Sequence, residues 1–181
     1  MYFGLKQLNF NHSDDDEEPI FELYENIEEN IRINSKVMQL KAFDLDKDRN
    51  ITYRIIHSSD KSKSLALNQT TGDIYVKNPI DHEETKWINL TILTFDNGLP
   101  NRKHSILHLY FKINDVNDNQ PKFVQLNTTE FRIYENAPIN TVIANFKIDD
   151  PDSGLAGSVE YKIISGNDEK FGIDPVKVRN I

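Results

Sequence analysis

Asp115-Val116-Asn117-Asp118-Asn119-Gln120-Pro121 lies between two strand-like runs and concentrates carboxylates and amides in a connector of a few residues. Such a stretch offers hard oxygen donors from side chains and from the carbonyls between them, and Ca²⁺ takes about six to eight oxygens. Pro121 cannot donate to a ladder, so it reads as the entry to the edge strand of a new domain. Taken alone, the same residues also read as a solvated acidic loop, and the rest of the chain has to decide between the two.

Working outward, Ser13-Asp14-Asp15-Asp16-Glu17-Glu18-Pro19-Ile20-Phe21 repeats the form of the connector. Asp16, Pro19 and Phe21 each stand 102 positions before Asp118, Pro121 and Phe123. A period of that size is a domain repeat. Between the two connectors the pattern is short strands with turn punctuation, and no window supports a long amphipathic helix. Ile88, Leu90 and Ile92 alternate with Asn89, Thr91 and Leu93; Asn89 belongs to a glycosylation sequon, which places its face in solvent and the Ile88 face inward. Leu107, Leu109, Phe111 and Ile113 alternate in the same way. Val37, Leu40 and Ala42 mark another strand, and Ile51, Tyr53 and Ile55 a further one. Thr71-Gly72-Asp73 and Asp96-Asn97-Gly98-Leu99-Pro100 are turns with glycine where a positive φ is expected. Short, evenly spaced strands in a unit of this length predict an all-β sandwich.

The acidic residues keep a common offset in the two units. Glu29-Asn30 is followed by Asp44 and Asp46, and Glu135-Asn136 by Asp150 and Asp152, at the same separations of 15 and 17 residues. Glu25-Asn26 is a competing choice, because Phe21 and Leu23 precede it as Phe131 and Ile133 precede Glu135. Glu29 is preferred, since Glu25 requires an insertion that a later deletion must cancel.

The 181 residues carry a net charge of -8, which argues against nucleic acid and anionic membrane as partners. With no cysteines there is no disulfide framework or thiolate site. Residues 1–10 lack the apolar core of a signal peptide and nothing is long enough to span a bilayer, so the chain is cytosolic or a fragment whose targeting and anchoring segments lie elsewhere. Five sequons, at Asn11, Asn50, Asn68, Asn89 and Asn127, favour the second option and a secreted route.

In order, the first unit shows Glu29-Asn30, Asp44-Leu45-Asp46, Thr71-Gly72-Asp73-Ile74, Ile80-Asp81-His82-Glu83, Thr94-Phe95-Asp96-Asn97-Gly98-Leu99-Pro100 and the connector. The second shows Glu135-Asn136, Asp150-Pro151-Asp152-Ser153-Gly154 and Tyr161. This ordered set resembles the cadherin repeat family. The resemblance implies tandem Greek-key, seven-stranded β-sandwiches, the second truncated: residues 1–18 as the tail of a preceding repeat and a degenerate linker, 19–120 as one repeat, and 121–181 as a repeat incomplete at its C-terminal end. It also implies Ca²⁺ at the inter-repeat junction. Glu29, Asp81 and Glu83 would hold it from one side, Asp150 and Asp152 from the other. The connector would supply Asn117 and Asp118 side chains and main-chain oxygens of Val116 and Asn119, with Asp115 a further participant. His82 replaces the family's arginine, which is not a ligand, and Ala156 replaces an asparagine that offers only a carbonyl. Asp16, Asp44, Asp46 and Asp96 would form half of a second site.

Crowded carboxylates repel by about 1 kcal/mol per close pair even in water, so the junction is expected to flex without metal and stiffen with it. The implied function is calcium-dependent cell–cell adhesion through other cadherin-family ectodomains, homophilic or heterophilic. That places the chain on the extracellular side of the plasma membrane, with a single-pass anchor outside this sequence. The alternative is a non-adhesive spacer rod in a large receptor. Trp87 lies mid-strand and reads as a structural aromatic. An enzyme using paired carboxylates is not expected, because acid/base work needs a carboxyl kept protonated in an apolar cleft, whereas Asp81, Glu83, Asp150 and Asp152 are expected in acidic, exposed loops.

Overall fold

The computed structural model describes residues 6–8, 20–43, 50–96, 98, 102–124, 130–166 and 170–175. The chain divides into two compact units, residues 1–114 and 115–181. Among the described residues there are strands and turns but no helix, and hence none long and apolar enough to cross a membrane.

The first unit contains β1 (Lys6–Leu8), β2 (Ile20–Glu28), β3 (Lys36–Ala42), β4 (Thr52–Ser58), β5 (Leu65–Leu67), β6 (Asp73–Val76), β7 (Trp87–Phe95) and β8 (His104–Asn114). They form two four-stranded sheets, ordered β2-β8-β7-β4 and β1-β3-β6-β5. The chain changes sheet after β1, β2, β3, β4 and β6, the Greek-key pattern of a sandwich. β2 runs parallel to β8, and the other pairs of its sheet are antiparallel. Residues 6–8, which the sequence assigns to a preceding unit, pair in parallel with β3 as Lys6↔Leu40, Gln7↔Lys41 and Leu8↔Ala42.

Alternation along the strands builds the core. Ile88, Leu90, Ile92 and Thr94 are buried on β7, while Trp87 and Asn89 are exposed. On β8 the buried set is Ser105, Leu107, Leu109, Phe111 and Ile113. The apolar residues among these meet Ile27 of β2, Tyr53 of β4, Val37, Met38 and Leu40 of β3, Leu65 of β5 and Ile74 and Val76 of β6 in one cluster. Val37 and Leu40 are an odd number of residues apart, which a regular strand would place on opposite faces. A register shift against β6 between Lys36 and Met38 inserts one residue, so Val37 and Met38 both turn inward and Leu40 follows them.

The two predicted turns differ. Gly72 has φ of +71°, and a Cβ there would stand 2.5 Å from the Leu40 carbonyl oxygen, so only glycine fits this close approach. Gly98 does not occupy the left-handed region. Its turn is closed by Asp96 instead, whose Oδ1 accepts from Gly98 N at 3.2 Å and Lys103 N at 3.0 Å. A carboxylate that organises the loop through backbone N–H groups removes the need for a positive φ.

In the second unit, β9 (Lys122–Val124) begins directly after Pro121 and pairs antiparallel with β10 (Lys147–Asp149). Phe123, Phe131 and Phe146 meet edge to face, with centroids 5.9 Å apart in both contacts. Val159 is the buried hydrophobic residue among the described part of this unit, where Asp150 and Asp152 are also buried.

Candidate metal centre

Each unit carries its own acidic group. In the first, β2 ends at Glu28, and Glu29 turns in at the end of the sandwich, where its N–H donates to the carbonyl of Asn114, the last residue of β8. Glu29 is 4% exposed, and its carboxylate accepts from His82 N through Oε2 at 2.7 Å. The buried His82 ring in turn bonds through Nδ1 to the Ile113 carbonyl at 2.9 Å. His82 therefore anchors the loop between β6 and β7, its N–H on the Glu29 carboxylate and its ring on the β8 backbone. Asp81 and Glu83 flank it in sequence and are exposed; Asp81 Oδ1 accepts from Glu84 N at 3.0 Å, closing a turn.

Carboxylate oxygens of Glu29, Asp81 and Glu83 lie within 4.8 Å of one another. Oxygens bound to one calcium ion at about 2.3–2.6 Å are separated by at most about 5 Å. The group thus has the donor chemistry and the spacing to hold a hard divalent cation, and no nitrogen or sulfur donor takes part. Glu25 lies elsewhere: it sits within β2 as the register partner of Phe111, in the body of the sheet.

In the second unit the connector is fastened to the loop that follows β10. Asp115 Oδ2 accepts from Ser153 N and from Ser153 Oγ at 2.7 Å. Asn117 Nδ2 donates to the Ala156 carbonyl at 3.1 Å. Asn119 is the hub: its Nδ2 donates to Asp152 Oδ1 at 2.8 Å and to Asp118 Oδ1 at 2.9 Å, and its backbone N–H reaches Asp152 Oδ2 at 3.3 Å. Asp150 and Asp152 are buried, not exposed as the sequence suggested, because the connector folds over them: Asn119 bonds both Asp152 oxygens, and the Asp152 N–H donates to Asp150 Oδ1 at 3.1 Å. Gly157 makes this loop possible, because a Cβ there would fall 2.0 Å from the Asp152 carbonyl oxygen. Val116, half-buried, completes the connector.

Within the first unit the structure brings Glu29, Asp81 and Glu83 together, and within the second it brings Asp115, Asn117, Asp118 and Asn119 to the Asp150–Ala156 loop. Of the expected half-site, Asp16, Asp44 and Asp46 lie outside the described residues, as do the sequons at Asn11 and Asn127; Asp96 serves its own turn. Three positioning residues had no assigned role in the sequence. His82 acts through its N–H and its ring, Ser153 through its N–H and its hydroxyl, in long-range bonds that no motif advertises, and Gly157 through a contact between loop segments.

An eight-stranded, two-sheet sandwich with a carboxylate group at its end, followed along the chain by an acidic connector and a second unit with a two-stranded sheet, defines the class of a tandem β-repeat protein with acidic loops. The chain belongs to the cadherin family: the Cadherin domain profile matches residues 24–114 and again 129–179. It is 35% identical over 177 residues to Protein dachsous of Drosophila melanogaster, covering 89% of this chain and 5% of that protein. Human Protocadherin Fat 4 is 30% identical over 160 residues, covering 86% of this chain and 3% of the relative. Among solved structures, mouse Cadherin-23 EC22-24 superposes with a TM-score of 0.77 at 29% identity, over 85% of this chain and 48% of that one. The chain thus spans a small part of the length of these relatives.

Proposed function

We propose that the chain is a pair of extracellular cadherin repeats that bind Ca²⁺ at their junction and thereby stiffen a rod used in cell–cell adhesion. The observation that carries this reading is the Glu29–Asp81–Glu83 group, whose oxygens approach within 4.8 Å. It is bonded to the last residue of β8, one residue before the connector begins. The connector is itself tied to Asp152, so two sets of hard oxygen donors flank a single covalent link. Cation binding shared between Glu29, Asp81 and Glu83 on one side and Asp118, Asp150 and Asp152 on the other, with oxygens of Asp115, Val116, Asn117 and Asn119, would relieve the repulsion within each set. Calcium supplies charge neutralisation and bridging; the chain supplies buried anchors that keep its carboxylates in place. Extracellular modules bind calcium at about 10⁻⁴ to 10⁻³ M, which suits a structural ion outside the cell. In this reading the carboxylates serve as ligands and perform no proton transfer.

The partners proposed are other cadherin-family ectodomains, homophilic or heterophilic, at the outer face of a plasma membrane to which the parent protein is anchored. Small-angle scattering during calcium titration tests the stiffening: the maximum dimension is expected to settle at millimolar calcium in the native chain and not in Asp118→Ala. An unchanged profile would sink the proposal. The sequon at Asn89 on an outer sheet face favours a second reading, a spacer rod, and bead aggregation by the native chain distinguishes adhesion from spacing.

A further inference from the structure

We propose that Asn89 carries an N-linked glycan whose first sugar lies on the Tyr24–Tyr110 pair and closes this face of the first unit to protein contact. The inference rests on the extracellular reading above. Across the outer face of the β2-β8-β7-β4 sheet, Tyr24 is the register partner of Tyr110 and Tyr110 that of Asn89. Directly opposed residues share a face, with Cβ atoms about 4.5–5.5 Å apart, so the asparagine stands beside the Tyr110 ring. The two tyrosine rings are stacked, with centroids 4.6 Å apart and planes inclined by 14°. Tyr24 is 59% exposed, and Trp87, two residues before Asn89 on the same face, is 47% exposed. The stacked tyrosine pair thus offers an exposed, rigid aromatic surface on this face that an apolar cover can occupy.

The sequon Asn89-Leu90-Thr91 supplies the cover. Period-two alternation puts Asn89 and Thr91 on the outer face and Leu90 in the core. The Asn89 backbone is held by Ser59, donating to its Oγ at 2.8 Å and accepting from its N–H at 2.9 Å, which fixes the point on the strand from which the exposed side chain projects. Asn68, by contrast, sits in a turn where its Oδ1 accepts from Thr70 N and Thr71 N. The donor class is a lipid-diphosphate-linked oligosaccharide. Nδ2 attacks the anomeric carbon, the C–N bond forms as the C–O bond to phosphate breaks, and the amide proton and bonding electron pair leave with the lipid diphosphate. The C–H face of the attached sugar then meets the aromatic face.

The test is secretion of the chain from a glycosylating eukaryotic cell line, glycopeptide mass spectrometry, and melting of wild type, Asn89→Gln, Tyr110→Ala, Tyr110→Phe and the Asn89→Gln/Tyr110→Ala pair. Expected are an occupied Asn89, a Tm several degrees lower in Asn89→Gln, loss of that difference in the Tyr110→Ala background, and its retention with Tyr110→Phe. A bare Asn89, an undiminished Asn89→Gln effect without Tyr110, or dimerisation of the glycosylated chain that Tyr24→Ala abolishes would each overturn the proposal. Calcium titration of the same samples reads the repeat proposal separately: binding with a bare Asn89 defeats only the glycan, and a glycan without calcium binding defeats only the junction.

Discussion

Glu29 and Glu135 open the same Glu-Asn pair in the two units and end in different environments. Glu29 is buried against the His82 backbone at the end of a closed sandwich, whereas Glu135 is exposed. The first unit is held by an apolar cluster drawn from both its sheets, the second, over its described residues, by a polar network centred on Asn119 and Asp152 with Val159 as its buried apolar side chain. The motif specifies donor chemistry, and the neighbours across the fold determine whether that donor is held in place.

The strongest way to break this contrast is Phe111→Ala, which removes a fully buried ring between the sheets. Unfolding in urea is expected to show a loss of about 3–5 kcal/mol for the first unit. A loss under 1 kcal/mol would mean that its stability does not rest on the core. Gly157→Ala is the counterpart in the second unit: the Asp152 backbone must move, at about 1–3 kcal/mol, with faster amide exchange at Asn119 and weaker calcium binding. Unaltered exchange at Asn119 would show that Gly157 does not shape the loop.

A pair of substitutions at Glu29 separates anchoring from charge. Glu29→Ala removes the acceptor of His82 N and is expected to cost about 1–3 kcal/mol, whereas Glu29→Gln keeps an acceptor, leaves thermal stability close to native and lowers calcium affinity. Calorimetry and melting together read both, and equal stability losses would refute the split. Calcium chelation should be milder. At about 1 mM metal and the affinity of extracellular modules, mass action gives about 0.4–1.4 kcal/mol per site, and the amide-exchange change is expected at the connector and the Asp150–Ala156 loop while β7 and β8 stay protected.

The smallest effect is electrostatic and confined to the other sheet. Partial burial raises the Asp73 pKa, but the Lys36 ammonium and the Thr71 hydroxyl outweigh it and hold the carboxyl below its ordinary value of 3.8. A group with a depressed folded pKa contributes stability above its unfolded pKa and loses it as pH falls through the folded one. Asp73→Asn should therefore cost about 0.2–1 kcal/mol at pH 7, with the difference vanishing in acid below that ordinary value. A difference that persists there would point to the hydrogen bonds and not to charge.

Much of this architecture was legible in the chain. The inward face of β7 and β8 follows from period-two alternation, which depends on local backbone geometry alone. The choice of Glu29 over Glu25 followed from a repeated offset, and the structure puts Glu25 within β2 opposite Phe111. The bulge between Lys36 and Met38 was not legible, because it exists only against β6. Nor was the pairing of β1 with β3, nor the closure of the Gly98 turn by Asp96.

The sequence by itself determined the all-β class, the repeat, the oxygen-rich connector and the residues able to act as hard ligands, since strand periodicity and donor chemistry are properties of local residue order. Tertiary structure alone decided how those residues are held. Asp115 meets Ser153 across 38 residues, Asn119 meets Asp152 across 33, and Glu29 meets His82 across 53. Bonds at such separations depend on how strands register and loops close, and neither quantity is written in any short stretch of the chain.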